Sequence, residues 1–193
     1  MRVILLLATA AAITAALPAA GAGGGLVKCV GATATIVGTS GDDLIHGTPR
    51  KDVIVALGGN DRIESRGGDD IVCAGPGRDV VYGGAGWDGL NGGDGVDTVF
   101  GGFGNDYLTG GAGHDLLYGE GGGDDLAGGT GPDMLRGGAG NDRLRGQAGN
   151  DSLLAGSGAD HLVGGVGTDS CNGGVGTDTG GAGTGCETII SIP

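Results

Sequence analysis

The chain is short of the residues from which globular cores are built. Of 193 residues only six are aromatic (one Trp, three Tyr, two Phe), against 51 glycines. Such a composition excludes a conventional globular core and reads as disorder unless something else orders the backbone. Cations are scarce as well, with ten Lys and Arg against 23 Asp and Glu and a net charge of −13. That balance excludes nucleic acid or an anionic membrane as a direct partner. Beyond Leu17 no apolar run is long enough for a membrane span. Histidines number three, His46, His114 and His161, all far apart in sequence. No H-E-x-x-H, G-x-S-x-G or phosphate-cradling loop is present, so no enzyme is expected.

What is present is a strict period. Gly101–Thr109 reads GGFGNDYLT and runs straight into Gly110–Tyr118, GGAGHDLLY; from Gly38 to Ile190 the chain divides into seventeen such nine-residue blocks without insertion. A fixed period is the signature of a repeat architecture. The sixth position of the block is Asp43, Asp52, Asp61, Asp70, Asp79, Asp88, Asp97, Asp106, Asp115, Asp124, Asp133, Asp142, Asp151, Asp160, Asp169 and Asp178, then Glu187. The fourth is glycine except at Arg50, and the eighth is aliphatic from Ile45 to Leu162.

Each feature has a physical reading. Glycines at the start of a block permit positive φ and a tight turn. The triplet at positions seven to nine is expected to be a short strand, with position eight inward and its neighbours outward. Two blocks then form one eighteen-residue coil, and coils stack at about 4.8 Å. Stacking sorts the aspartates into two columns, one through Asp97 and Asp115, the other through Asp88 and Asp106. Neighbouring carboxylates about 5 Å apart repel by about 1 kcal/mol in water and about 3 kcal/mol at an effective dielectric of 20. One inward aliphatic per nine residues is too thin a core to offset that and the chain entropy. A hard cation between carboxylates and turn carbonyls is the missing contribution, and irregular all-oxygen sites suit calcium better than magnesium.

The blocks match GGxGxDxUx, so the chain resembles the RTX calcium-binding repeat family. The resemblance implies an all-β fold, a right-handed parallel β-roll with two nonapeptides per coil and short capping segments at both ends. It implies multiple Ca2+ ions held by the sixteen sixth-position aspartates together with turn carbonyls. Pro49 and Arg50 make the turn of Asp52 the least regular of the early ones. The family often joins such rolls to toxins, proteases, lipases or epimerases, for which this chain has no room. The expected function is that of a secreted, non-enzymatic calcium-binding repeat protein that folds on binding Ca2+. Alternatives are an extracellular adhesion or matrix module and a calcium-dependent accessory module of a secreted enzyme.

The ends depart from the repeat. Residues 1–22 read as a secretory signal peptide, with Arg2, the apolar run Val3–Leu17 and a small-residue cleavage site at Ala20–Ala22. A membrane anchor is the alternative. Residues 23–37 are expected to cap the roll of residues 38–170, and residues 171–193 to form the exit cap, where Cys171 and Gly180 replace the inward aliphatic. An extracellular destination permits disulfides. Of three possible pairings, Cys29–Cys73 with Cys171–Cys186 alone leaves the two ends unbridged. Zinc lacks support, since the cysteine spacings are wide.

The outward positions carry one more pattern. Tyr82, Phe100 and Tyr118 fall at position nine on successive coils, beside Val80, Thr98, Leu116 and Met134 at position seven. They read either as a strand-stabilising ladder or as a face for self-association or a cell-surface polymer. The opposite sheet, with Asn91, Thr109, Asp125 and Arg143, is expected to stay solvated.

Overall fold

A computed structural model describes residues 2–4, 32–180 and 185–192. The signal-peptide reading, apart from Arg2–Ile4, and most of the N-terminal cap lie outside the described residues, as do Cys29 and the side chain of Glu187.

The described residues form strands only, arranged in two parallel sheets that alternate along the chain. One sheet stacks β1 (Arg2–Ile4), β3 (Asp43–His46), β5 (Arg62–Gly67), β7 (Val80–Ala85), β9 (Thr98–Phe103), β11 (Leu116–Gly121), β13 (Met134–Ala139), β15 (Ser152–Gly158), β17 (Asp169–Gly176) and β19 (Cys186–Ile192). The other stacks β2 (Ile36–Val37), β4 (Val53–Val55), β6 (Ile71–Gly77), β8 (Gly89–Gly95), β10 (Tyr107–Gly113), β12 (Asp125–Thr130), β14 (Arg143–Ala148), β16 (His161–Val166) and β18 (Thr179–Gly180). Through the body every pair is in register at eighteen residues, as in Leu108↔Leu126 and Phe100↔Tyr118. This is a parallel β-roll with two nonapeptides per coil.

The eighth-position aliphatics form the core. Ile45, Ile54, Ile63, Val72, Val81 and Leu90 through to Leu162 are buried, and Cys171 continues their column. Strands in the body run six to eight residues, longer than the expected triplet, because they continue through the first positions of the next block. That extension adds a second inward site at position one. It admits only small residues, and where glycine is replaced the substitutes Ala56, Ser65, Ala74 and Ala155 are all buried.

Glycine at position four is a steric requirement. A Cβ on Gly113 (φ 153°) would run into the carbonyl oxygen of Gly95 one coil away. Position two also takes positive φ in the body, and the four larger residues there, Leu57, Arg66, Glu120 and Gln147, adopt φ of 81°, 81°, 75° and 78°. Residues 38–56 contain no positive φ at all, so the first two turns differ in backbone from the rest.

The ends are closed differently. Arg2–Ile4 lies along β3, pairing Arg2↔Asp43 and Ile4↔Ile45. At the exit β17 and β19 lose the common register, with Asp169 opposite Cys186 but Cys171 opposite Ile189. The register slips twice, between Asp169 and Cys171 and again between Asn172 and Gly174. The disulfide Cys171–Cys186 joins the same two strands. Cys73 is also disulfide-bonded.

Candidate metal centre

Each sixth-position aspartate stands where the turn feeds the next strand, and its side chain points into the turn. In the body its Oδ1 accepts a hydrogen bond from the backbone N–H of the aspartate one coil earlier. Asp88 N–H donates to Asp106 Oδ1 at 2.9 Å, Asp97 N–H to Asp115 Oδ1 at 2.8 Å and Asp106 N–H to Asp124 Oδ1 at 2.8 Å. The two expected columns are therefore continuous ladders.

The second oxygen is left over. From Asp61 to Asp169, at all thirteen sixth positions, Oδ2 is buried without a hydrogen-bond partner. A buried carboxylate oxygen without a donor is costly. Loss of water raises the Asp70, Asp97, Asp106 and Asp133 carboxyls from 3.8 to about 7, and those of Asp79, Asp115 and Asp142 to about 6. The backbone N–H from the preceding coil opposes that shift, and for all of these but Asp115 neighbouring aspartates add to it. Positive charge, as a proton or a cation, is what these positions lack.

The surroundings fit a hard cation. A Cβ on Gly101 would stand 2.6 Å from Asp106 Oδ2 and 2.9 Å from the carbonyl oxygen of Gly119; on Gly83 it would stand 2.6 Å from both Asp88 Oδ2 and the Gly101 carbonyl oxygen. The missing side chain thus leaves a cradle on which a carboxylate oxygen and a main-chain oxygen converge. Among the described residues no group of three or more His, Cys, Asp or Glu side chains gathers. The oxygens that converge on each cradle are thus one carboxylate and neighbouring main-chain carbonyls, an all-oxygen donor set that suits calcium.

Seven overlapping segments match the family model of the RTX calcium-binding nonapeptide repeat (four copies): residues 37–72, 46–81, 67–99, 91–126, 118–153, 127–162 and 145–180. Together they span residues 37–180 without a gap. The chain belongs to the RTX calcium-binding nonapeptide-repeat family. No curated protein matches it.

Within this RTX roll not every aspartate is in the same state. In the first turn Asp43 Oδ2 accepts the N–H of Thr39 at 2.6 Å and lies 3.0 Å from its hydroxyl. In the second, Asp52 Oδ2 accepts the N–H of Thr48 at 2.6 Å and its hydroxyl at 2.9 Å. Both threonines occupy position two, where later turns have mostly glycine; Pro49 and Arg50 mark the second turn as irregular in the sequence, but nothing there reveals the role of Thr39 and Thr48. Asp178 is less buried than the body aspartates, and its Oδ1 accepts Asp160 N–H at a longer 3.2 Å.

The aromatic ladder of the RTX roll is also visible. Tyr82, Phe100 and Tyr118 stack with centroids 4.9 Å apart and ring planes within 6° and 10°, and the Arg62 guanidinium covers the outer face of Tyr82 at 4.6 Å. Ring faces are spent on one another, so the ladder offers edges to solvent rather than flat platforms for sugar rings. Trp87 and Phe103, which the sequence reading passed over, are 68% and 79% exposed at the turn edge of the same coils. All six aromatics of the chain fall between residues 82 and 118. On the opposite sheet Thr109 is buried, against the expectation of a fully solvated face, as is its neighbour Ala127. Arg145 there turns back to Asp125 at 2.6 Å instead of extending into water.

Proposed function

We propose that this RTX roll is a secreted, non-enzymatic protein that binds several calcium ions between stacked turns and folds as it binds them. The thirteen partnerless Oδ2 atoms from Asp61 to Asp169 carry this reading. These carboxylates and the carbonyls beside them hold the ions, and each ion supplies the positive charge that lets the columns close. The N-terminal apolar segment and the Cys171–Cys186 disulfide support an extracellular, oxidising destination. Extracellular calcium modules bind at about 10⁻⁴–10⁻³ M, so a folding transition near ~0.1–1 mM calcium is expected. Circular dichroism during a calcium titration from excess chelator tests this. Native-like β-structure persisting unchanged in chelator would falsify it.

A second reading concerns the sheet containing β7, β9, β11 and β13. In a chain of net charge −13, its outward seventh and ninth positions hold Val80, Tyr82, Thr98, Phe100, Leu116, Tyr118, Met134 and Arg136, with no acid among them. Glu120, exposed on β11, is the one acid on these four strands, so two copies meeting on the seventh and ninth positions would bring no carboxylates together there, and Phe103 and Trp87 would extend the contact. We assign it to weak self-association in calcium. Light scattering of the Phe103→Ser/Trp87→Ser variant should then show a monomer where the parent associates; equal masses for both remove the assignment, and glycan retention by the parent would point to a surface polymer instead.

A further inference from the structure

We infer that the turns of Asp43 and Asp52 are not calcium sites but a built-in substitute for them, giving the roll a calcium-independent first coil from which calcium-driven folding spreads toward the C-terminus. The inference rests on the calcium reading above for the direction of spread, and on three separate observations for the coil itself.

The first is donor supply. The carboxylate oxygen that has no hydrogen-bond partner in later turns meets two donors here, the N–H and hydroxyl of Thr39 for Asp43 and of Thr48 for Asp52. Each hydroxyl in turn accepts a backbone N–H, from Gly41 at 3.3 Å and from Arg50 at 3.2 Å. The two turns are copies of one hydrogen-bonded design. Asp52 is held further by Thr35, whose hydroxyl lies 3.3 Å from its Oδ1, while Val53 N–H donates to that same hydroxyl at 2.9 Å.

The second is backbone and charge. With no positive φ between residues 38 and 56, and with Thr39, Thr48 and Arg50 where the body mostly has glycine, these turns hold fewer glycines and lose less entropy on folding. Arg50 and Lys51 set two cations on the Asp52 turn, which disfavours a divalent ion there. The third is packing. β4 is buried on both faces, with Val53, Ile54 and Val55 all inside, whereas body strands other than β10 and β12 bury alternate residues. β-branched Ile45, Ile54, Ile63, Val72 and Val81 stiffen the core over this end of the roll, whereas from Leu108 to Leu162 every eighth position is leucine. In a solenoid each coil is stabilised mainly by its neighbour, so an ordered terminal coil is a template for the next.

Hydrogen–deuterium exchange of the full-length chain, resolved by peptide, tests this. In excess chelator residues 43–55 should exchange at least about tenfold more slowly than residues 97–151, the mark of local stability above that of the open body. Stepwise calcium should then extend protection from β5 onward. The Thr39→Val/Thr48→Val variant should lose the chelator-resistant protection, while Thr39→Ser/Thr48→Ser, which restores the hydroxyl, should keep it. Uniform exchange along the chain in chelator, or protection appearing first around Cys171–Cys186, overturns the inference. A calcium response without chelator-resistant residues 43–55 sinks this inference and leaves calcium binding intact. The protected coil without any calcium response does the reverse.

Discussion

The first two turns and the body carry the same aspartate at the same place, yet they settle its charge by different means. At Asp43 and Asp52 a threonine closes on the carboxylate from within the chain. From Asp61 to Asp169 the second position is usually glycine, no donor reaches Oδ2, and the charge must be met from solution. A single side chain two positions into the turn thus decides whether a coil is self-sufficient or ion-dependent. The comparison teaches that the repeat motif marks where a carboxylate is buried, while threonine at the second position marks where hydrogen bonds from the chain stabilise it.

The largest expected contrast comes from acid in the absence of calcium. Body carboxyls raised from 3.8 to about 6 or 7 bind protons on folding. Stability from that source is fully present below the unfolded value of 3.8 and is lost as pH rises through 6 to 7. In chelator, lowering the pH from about 8 to about 5 should therefore raise β-content in the body, and the calcium midpoint should move to higher concentration as protons compete. Circular dichroism at fixed chelator reads the first effect. A body that stays unfolded at the lower pH would show that carboxylate burial is not the obstacle.

Next in size is a backbone test of the same contrast. Gly113→Ala forces a Cβ against the Gly95 carbonyl and should cost the calcium-loaded roll about 2–4 kcal/mol in denaturant melts. Arg50→Ala, at the equivalent position of the second turn, should change stability by no more than about 0.5 kcal/mol. Equal costs would mean that the two kinds of turn share one geometry after all.

Ligand substitution is smaller and more local. Asp106→Asn should weaken calcium binding beside the turns of Asp88 and Asp124 and spare the Asp97–Asp115 column, as followed by exchange of the two sets of turns. Asp43→Asn should leave the number of bound ions unchanged while costing the first coil about 1–2 kcal/mol through weakened charge-assisted hydrogen bonds. A loss of bound calcium in Asp43→Asn would erase the distinction drawn between the turns.

The eighteen-residue coil, the inward eighth position and the two aspartate columns were legible in the sequence because they follow from spacing alone. Strand length was not, since glycine at positions one and two has no side chain to declare a preference, and the strands run on through it. The part played by Thr39 and Thr48 was equally hidden: a threonine in a turn becomes a carboxylate donor only when Oδ2 faces it, and orientation is not written in composition. The burial of Thr109 was missed because an outward position was equated with water, whereas Tyr107 and Asp125 beside it are themselves half-buried.

The smallest effect sharpens the comparison at position two within the body. Gln147 holds φ of 78° there, so Gln147→Gly should stabilise the roll by about 0.5–1 kcal/mol by relieving the left-handed strain. The thermal midpoint in saturating calcium measures it, and a lower midpoint would mean that the Gln147 side chain contributes more than its backbone costs.

The uninterrupted eighteen-residue register also constrains how such a chain can grow or shrink over generations. Loss of nine residues would keep every remaining aspartate and inward aliphatic in phase, yet it would transfer the whole downstream chain to the other sheet. Removing Gly101–Thr109, for example, would carry Tyr118 away from Phe100 and set it beside Asn91 of β8, with the exit strands arriving on the wrong side. Loss or gain of eighteen residues would shift nothing but length. The heritable unit of this protein is therefore the pair of blocks, and a lineage of such rolls should vary in length by whole coils even though its sequence repeats every nine.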